Sequence, residues 1–105
     1  MTNSRAKGCR GERQWAQFLT YRGFDARRGQ QYSGGNDSPD VVCDDLPGLH
    51  CEVKFTERLN VYDAMNQAID DANGLIPYVA HRRKNHDWLV TMRAEDWIEL
   101  VREYV

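Results

Sequence analysis

The stretch that decides the reading of this chain is Ser38-Pro39-Asp40-Val41-Val42, followed after a short interval by Glu52-Val53-Lys54. Side chains alternate along a strand, so Glu52 and Lys54 project from one face while Cys51, Val53 and Phe55 project from the other. The second set is apolar and suits a core. Val41 to Cys43 and Leu49 to Phe55 are β-rich runs joined by Asp44-Asp45-Leu46-Pro47-Gly48, a turn by composition. The two runs predict an antiparallel hairpin with Asp40, Glu52 and Lys54 gathered at one end. Two carboxylates and an ammonium so placed suit a divalent cation and a water beside a phosphodiester. Taken alone, charge alternating with apolar residues is equally the pattern of a surface salt-bridge network on an exposed sheet face.

Outward from this hairpin, the order of elements reads helix, three strands, helix, two strands, helix. A helix is predicted from about Cys9 to Arg22, stopping at Gly23, with Trp15, Phe18 and Leu19 as its apolar stripe. Glu12 falls on or beside that stripe, where a carboxylate needs a partner. Residues 1–8 read as a loose basic arm. Phe24 to Arg28 reads as a short strand, and Gly29 to Asp37 as a polar, Gly-rich loop. A second helix is predicted over Val61 to Asn73, with Asn60 in its cap and Val61, Ala64, Met65, Ala68 and Ala72 on its apolar face. Gln67 lies off that face. Leu75 to His81 and Trp88 to Met92 read as two more strands, joined by the basic connection Arg82-Arg83-Lys84-Asn85-His86-Asp87. Pro77 places its strand at a sheet edge or at a strand start. The last helix, Ala94 to Tyr104, is expected to bury Trp97, Ile98 and Val101.

Composition bounds the class. At 105 residues, with 41% hydrophobic and 29% charged residues, the chain is expected to form one domain spanning 1–105, with one core. No apolar run approaches the roughly 20 residues that span a bilayer, and the polar, basic N-terminus has no apolar signal region, so a cytoplasmic setting without membrane contact is expected. Cys9, Cys43 and Cys51 are an odd count, expected as free thiols, and with His50 they fit no standard zinc spacing. The net charge of -2 is unevenly spread. Residues 1–35 carry seven basic and two acidic side chains; residues 36–105 carry seven basic and fourteen acidic ones. A segregated basic surface binds phosphate even on an acidic protein.

Pro39-Asp40 followed by Glu52-Val53-Lys54 resembles the signature of the PD-(D/E)XK nucleases. Asn3-Ser4-Arg5, Lys7-Gly8 and Glu12 upstream, with Ser33-Gly34-Gly35 between, resemble the archaeal-type Holliday junction resolvases within that superfamily. The resemblance covers roughly residues 3 to 91. It implies an α/β, restriction-endonuclease-like fold with a mixed five-stranded sheet flanked by helices, in the order α-β-β-β-α-β-β-α. It implies a metal-dependent endonuclease for DNA, branched DNA above all, acting as a homodimer. Mg²⁺ is the expected cofactor, with Mn²⁺ as a substitute and no organic cofactor. Glu12, Asp40, Glu52, Lys54 and Gln67 are the candidate catalytic residues. Asp40, Glu52 and the Val53 carbonyl are the candidate metal ligands, with Glu12 in support. Arg5, Lys7, Arg10, Arg27, Arg28, Ser33, Gly34, Arg82, Arg83 and Lys84 are the candidate DNA contacts. His81 and His86 are read as strand-end polar residues, outside the site. Two other readings stay open: a nuclease for duplex, flapped or single-stranded DNA, and a non-catalytic nucleic-acid-binding module.

Overall fold

The computed structural model describes residues 4–29 and 39–105, without the side chains of residues 4–7. Its elements are α1 (Ser4–Thr20), β1 (Ala26–Arg28), β2 (Val41–Cys43), β3 (Leu49–Phe55), α2 (Val61–Asp71), β4 (Ile76–Arg82), β5 (Leu89–Met92) and α3 (Ala94–Tyr104). The strands form one sheet in the order β1-β2-β3-β4-β5. Every neighbouring pair is antiparallel except β3 and β4, which run parallel with Glu52 opposite Val79 and Lys54 opposite His81. Parallel neighbours need a crossover, and α2 supplies it. The result is the mixed five-stranded, restriction-endonuclease-like arrangement the sequence predicts.

The alternation along β3 divides the molecule into layers. On one face Cys51 and Val53 join Trp15, Ala16 and Leu19 of α1 and Tyr78 and Ala80 of β4 in the main core. Trp15 anchors it, with its ring against Phe18, Tyr78 and Trp88 and its indole N–H donating to the Tyr78 hydroxyl at 3.3 Å. On the other face Ala64, Met65 and Ala68 of α2 cover Val79. The alanines let α2 lie close, and Asn60 caps it by accepting from the Asp63 N–H at 3.1 Å. The α1 helix comes equally close to β3: a Cβ on Gly11 would stand 2.7 Å from the Phe55 Cβ, so only glycine fits there.

Two local expectations are corrected, and of the two places offered for Pro77 the strand start is the one found. The first helix begins at Ser4, not near Cys9, so the basic arm is largely its opening turns. Helix propensity of Arg, Ala and Lys outweighs the weak start signal. Pro77 sits in an interior strand, but near its start, before pairing with β5 begins at Tyr78; its missing N–H removes no bond to β5. The α3 helix buries nothing. Trp97 is 55% exposed, and Ile98 and Leu100 are exposed as well. An apolar stripe on a terminal helix says that a face is sticky, not that this chain covers it.

Candidate active site

The Asp40 backbone is fixed from two sides. Its N–H donates to the Cys51 carbonyl at 2.9 Å, and its carbonyl accepts from the Gly29 N–H at 2.8 Å. A Cβ on residue 29 would overlap the Pro39 carbonyl oxygen, so glycine is needed for β1 to approach this closely. The Asp40 side chain then reaches across to β3, where its Oδ2 accepts from the Val53 N–H at 2.9 Å. One long-range bond thus ties the first carboxylate to the residue between Glu52 and Lys54.

Glu52 is 4% exposed, on the central strand of the sheet. Burial pushes its carboxyl up to about 7, with the Asp40 charge adding to the effect. Burial likewise pushes Asp40 up to about 6; the Val53 N–H and the Lys54 charge pull the other way. Two desolvated carboxylates, Glu52 raised further by Asp40 and Asp40 by Glu12, make a site short of positive charge. Lys54 offsets part of the deficit. Its Nζ donates to Gln67 Oε1 at 2.9 Å, so the glutamine off the apolar face of α2 turns out to hold the lysine of β3. Glu12 of α1 is half-buried and pairs with Arg28 of β1, its Oε2 3.2 Å from the guanidinium; the same Arg28 donates to Cys9 Sγ at 3.1 Å. The Glu12 charge acts on both Asp40 and Glu52.

Two members of this neighbourhood escape the sequence reading. Asp71, at the end of α2, adds to the upward push on Glu52. His50, fully buried two residues before Glu52, has its Nε2 3.9 Å from Glu52 Oε2. Strand alternation puts His50 on the same face as Glu52, a signal that was available. The path of α2 past β3 was not.

The donor set fits a hard divalent cation. Asp40 and Glu52 offer carboxylate oxygens, the ligand type Mg²⁺ prefers, and a cation would relieve their mutual repulsion. Among the described residues no group of three or more His, Cys, Asp and Glu side chains is gathered to hold a metal ion. That separates Glu12 from a direct three-carboxylate cage. Burial also keeps the Cys51 thiol protonated.

The candidate DNA contacts divide. Arg27 pairs with Asp44 at 2.9 Å and Arg28 with Glu12, so neither guanidinium stands alone on the surface. Arg10, Arg83 and Lys84 are exposed. Arg82 is half-buried, its guanidinium carbon 5.5 Å from the Phe55 ring centre and 5.7 Å from that of Trp88. The side chains of Arg5 and Lys7, and the whole of Ser33, Gly34 and Gly35, lie outside the described residues. No helix among the described residues is long and apolar enough to cross a membrane.

No family model and no curated protein matches the chain. A solved structure does: Hjc from Archaeoglobus fulgidus, a Holliday junction resolvase from an archaeal hyperthermophile, determined at 1.6 Å. The two are 29% identical, the match covers 82% of this chain and 72% of that one, and the TM-score is 0.60. In its fold the chain resembles the archaeal Holliday junction resolvases of the PD-(D/E)XK superfamily.

Proposed function

We propose that this protein is a Mg²⁺-dependent endonuclease that hydrolyses phosphodiester bonds in branched DNA as a two-fold dimer. One observation carries the reading: a half-buried Asp40 and a buried Glu52, each pushed up toward neutrality, are gathered at β3 with Lys54, which shares the strand face of Glu52. Holding such a cluster together costs stability, and a purely structural role leaves that cost without return. The similarity to Hjc supports the substrate class.

Asp40, Glu52 and the Val53 carbonyl would hold the ion, with Mn²⁺ as a substitute and Glu12 in support through water. Bound there, the ion supplies an activated water and neutralises charge on the phosphate. The chain's own groups do the rest. Asp40 keeps its orientation through the Val53 N–H, so its position follows β3 without slack. A lysine ammonium has three donors, and Gln67 takes one. The others serve the phosphate oxygens or the attacking water, from a position fixed by α2. The basic helix α1 and Arg83 and Lys84 supply the field that draws the DNA backbone in.

The dimer rests on the apolar surface of the C-terminal third. Trp97 and Ile98 of α3 are exposed, as is Val90 of β5, and a second copy is the partner proposed for them.

The test compares an immobile four-way junction with a matched linear duplex, in Mg²⁺ and in EDTA, using wild type and Glu52→Ala. Paired, symmetric, Mg²⁺-dependent cuts in the junction alone, absent from the variant, are expected. Equal cutting of both DNAs keeps the nuclease and removes the branch selectivity. Binding without cutting leaves a nucleic-acid-binding module. Full activity of Glu52→Ala at matched metal overturns the site.

A further inference from the structure

Beyond the carboxylates, a second concave site lies on the same rim of the sheet. Its cavity, about 330 Å³, opens where β3 and β4 end together. The parallel register sets its relation to the active site. Lys54 of β3 lies opposite His81 of β4, so the two share a face on adjacent strands. His81 and Thr56, the residue two beyond Lys54, both line the cavity. The cavity therefore begins one residue pair from the lysine.

We infer that this cavity is a nucleotide subsite: it takes one phosphate–deoxyribose–base unit of the DNA strand, next to the phosphate held at Asp40, Glu52 and Lys54. The inference rests on the nuclease reading for the identity of the strand, and on the cavity's own chemistry for the nucleotide. Its wall is of three kinds. Arg82, Arg83 and the two histidines, His81 and His86, offer donors to a phosphate. Leu59, Val61 and Leu89 offer an apolar surface for the sugar or the base face. Glu57 and Asp87 offer acceptors for a sugar hydroxyl or a base N–H. A nucleotide carries an anion, an apolar ring and N–H or O–H donors in one unit. A bare phosphate would meet Glu57 and Asp87 with nothing to give them. The volume, at the lower end of the roughly 300–1,000 Å³ of small-molecule sites, admits one such unit and excludes a duplex.

The wall is held in place. His81 Nε2 and the Thr91 hydroxyl are 2.8 Å apart, which fixes the imidazole against β5. Burial holds His81 below its ordinary value, so it presents a neutral ring with one donor and one acceptor at neutral pH. The His86 Nδ1 lies 3.0 Å from the Lys84 carbonyl, and Asn85 takes a positive φ of 65° to close the turn between them. The turn thus presents Arg83 and His86 to one space.

The chain has three histidines, and two of them line this cavity. The third, His50, is buried beside Glu52 and reports on the neighbouring carboxylate site. The experiment titrates 5′-phosphorylated thymidine dinucleotide into the full-length protein in EDTA and follows the three imidazole NMR signals. The His81 and His86 signals are expected to move together and saturate in the millimolar range, with or without a shift at His50. Thymidine and inorganic phosphate alone should each bind more weakly. Arg83→Ser, an exposed change with little risk to the fold, should weaken the dinucleotide about tenfold and raise KM for a cleaved junction by about as much, with kcat within about twofold. His81→Gln, read the same way, tests the wall held by Thr91. No saturable shift at millimolar dinucleotide, movement of His50 alone, or unchanged binding in Arg83→Ser overturns the subsite even if the protein cuts DNA. Failure to cut any DNA, with the histidine shifts present, overturns the nuclease reading and leaves the subsite standing.

Discussion

Replacing Glu52 with glutamine should make the metal-free protein more stable while abolishing its activity, and the gain should depend on pH. The folded carboxyl titrates at about 7 against an ordinary 4.5, chiefly because it is buried and secondarily because Asp40 is near. Between those values the folded state holds a proton that the unfolded chain has released. Wild-type stability therefore falls as pH rises from about 4.5 through about 7 and then levels off. At 1.36 kcal/mol per unit the full shift corresponds to about 3 kcal/mol, and relaxation around the group reduces this to about 1–3 kcal/mol. Glu52→Gln keeps the shape and removes the charge. Its advantage in EDTA should be near zero at pH 4.5 and reach about 1–3 kcal/mol at pH 8, or roughly 5–15 °C in Tm for a domain of this size. Urea and thermal unfolding of both proteins at the two pH values measure it. Saturating Mg²⁺ should narrow the gap by stabilising only wild type. A variant no more stable than wild type at pH 8 in EDTA, or a difference independent of pH, would refute the claim that Glu52 is a desolvated acid.

Three other outcomes follow from the geometry. Gly11→Ala should cost about 1–3 kcal/mol by urea unfolding despite alanine's better helix propensity, because the new Cβ would press on the Phe55 Cβ; Gly8→Ala, where nothing stands within 4 Å, should cost nothing or gain up to about 1 kcal/mol. Gln67→Ala should leave stability within about 0.5 kcal/mol, since Gln67 is exposed, yet lower kcat on a cleaved DNA about tenfold by releasing Lys54; Gln67→Glu, which keeps an acceptor, should recover most of the loss. Trp97→Glu should shift the species seen by analytical ultracentrifugation to monomer without loss of helicity, because α3 buries no residue within its own chain. A dimer that survives the change would place the interface elsewhere.

How much of this was legible in the sequence depended on the range of the forces involved. The β3 strand was read to the residue, Leu49 to Phe55, because alternation, a Pro-Gly turn before it and the charged pair all agree. The stripe of α2 was equally clear, since its alanines and Met65 repeat at helical spacing and do become buried. The same kind of pattern misled in α3, where the stripe at Trp97 and Ile98 is real but nothing among the described residues buries it. Asp40 and Glu52 were visible as types and spacing. The bond from the Val53 N–H to Asp40, the Gln67–Lys54 contact and the nearness of Asp71 were not, because each depends on how two elements cross. His81 was set aside as a strand-end residue, and only the register of β4 against β3 shows it beside Lys54. Register between parallel strands is fixed by the crossover, which leaves no short-range mark in the sequence.

The place of β3 at the middle of the sheet carries a consequence for how this protein tolerates change. Both of its edges are hydrogen-bonded, to β2 on one side and β4 on the other. A slip of one residue would turn Cys51 and Val53 toward α2 and send Glu52 and Lys54 into the apolar layer under Trp15. No partly slipped intermediate keeps half of the acid–lysine arrangement, because the period along a strand is two. Drift in this lineage can therefore reshape the hairpin tips and the outer helix gradually. The β3 strand can only be retained whole or lost at a single step.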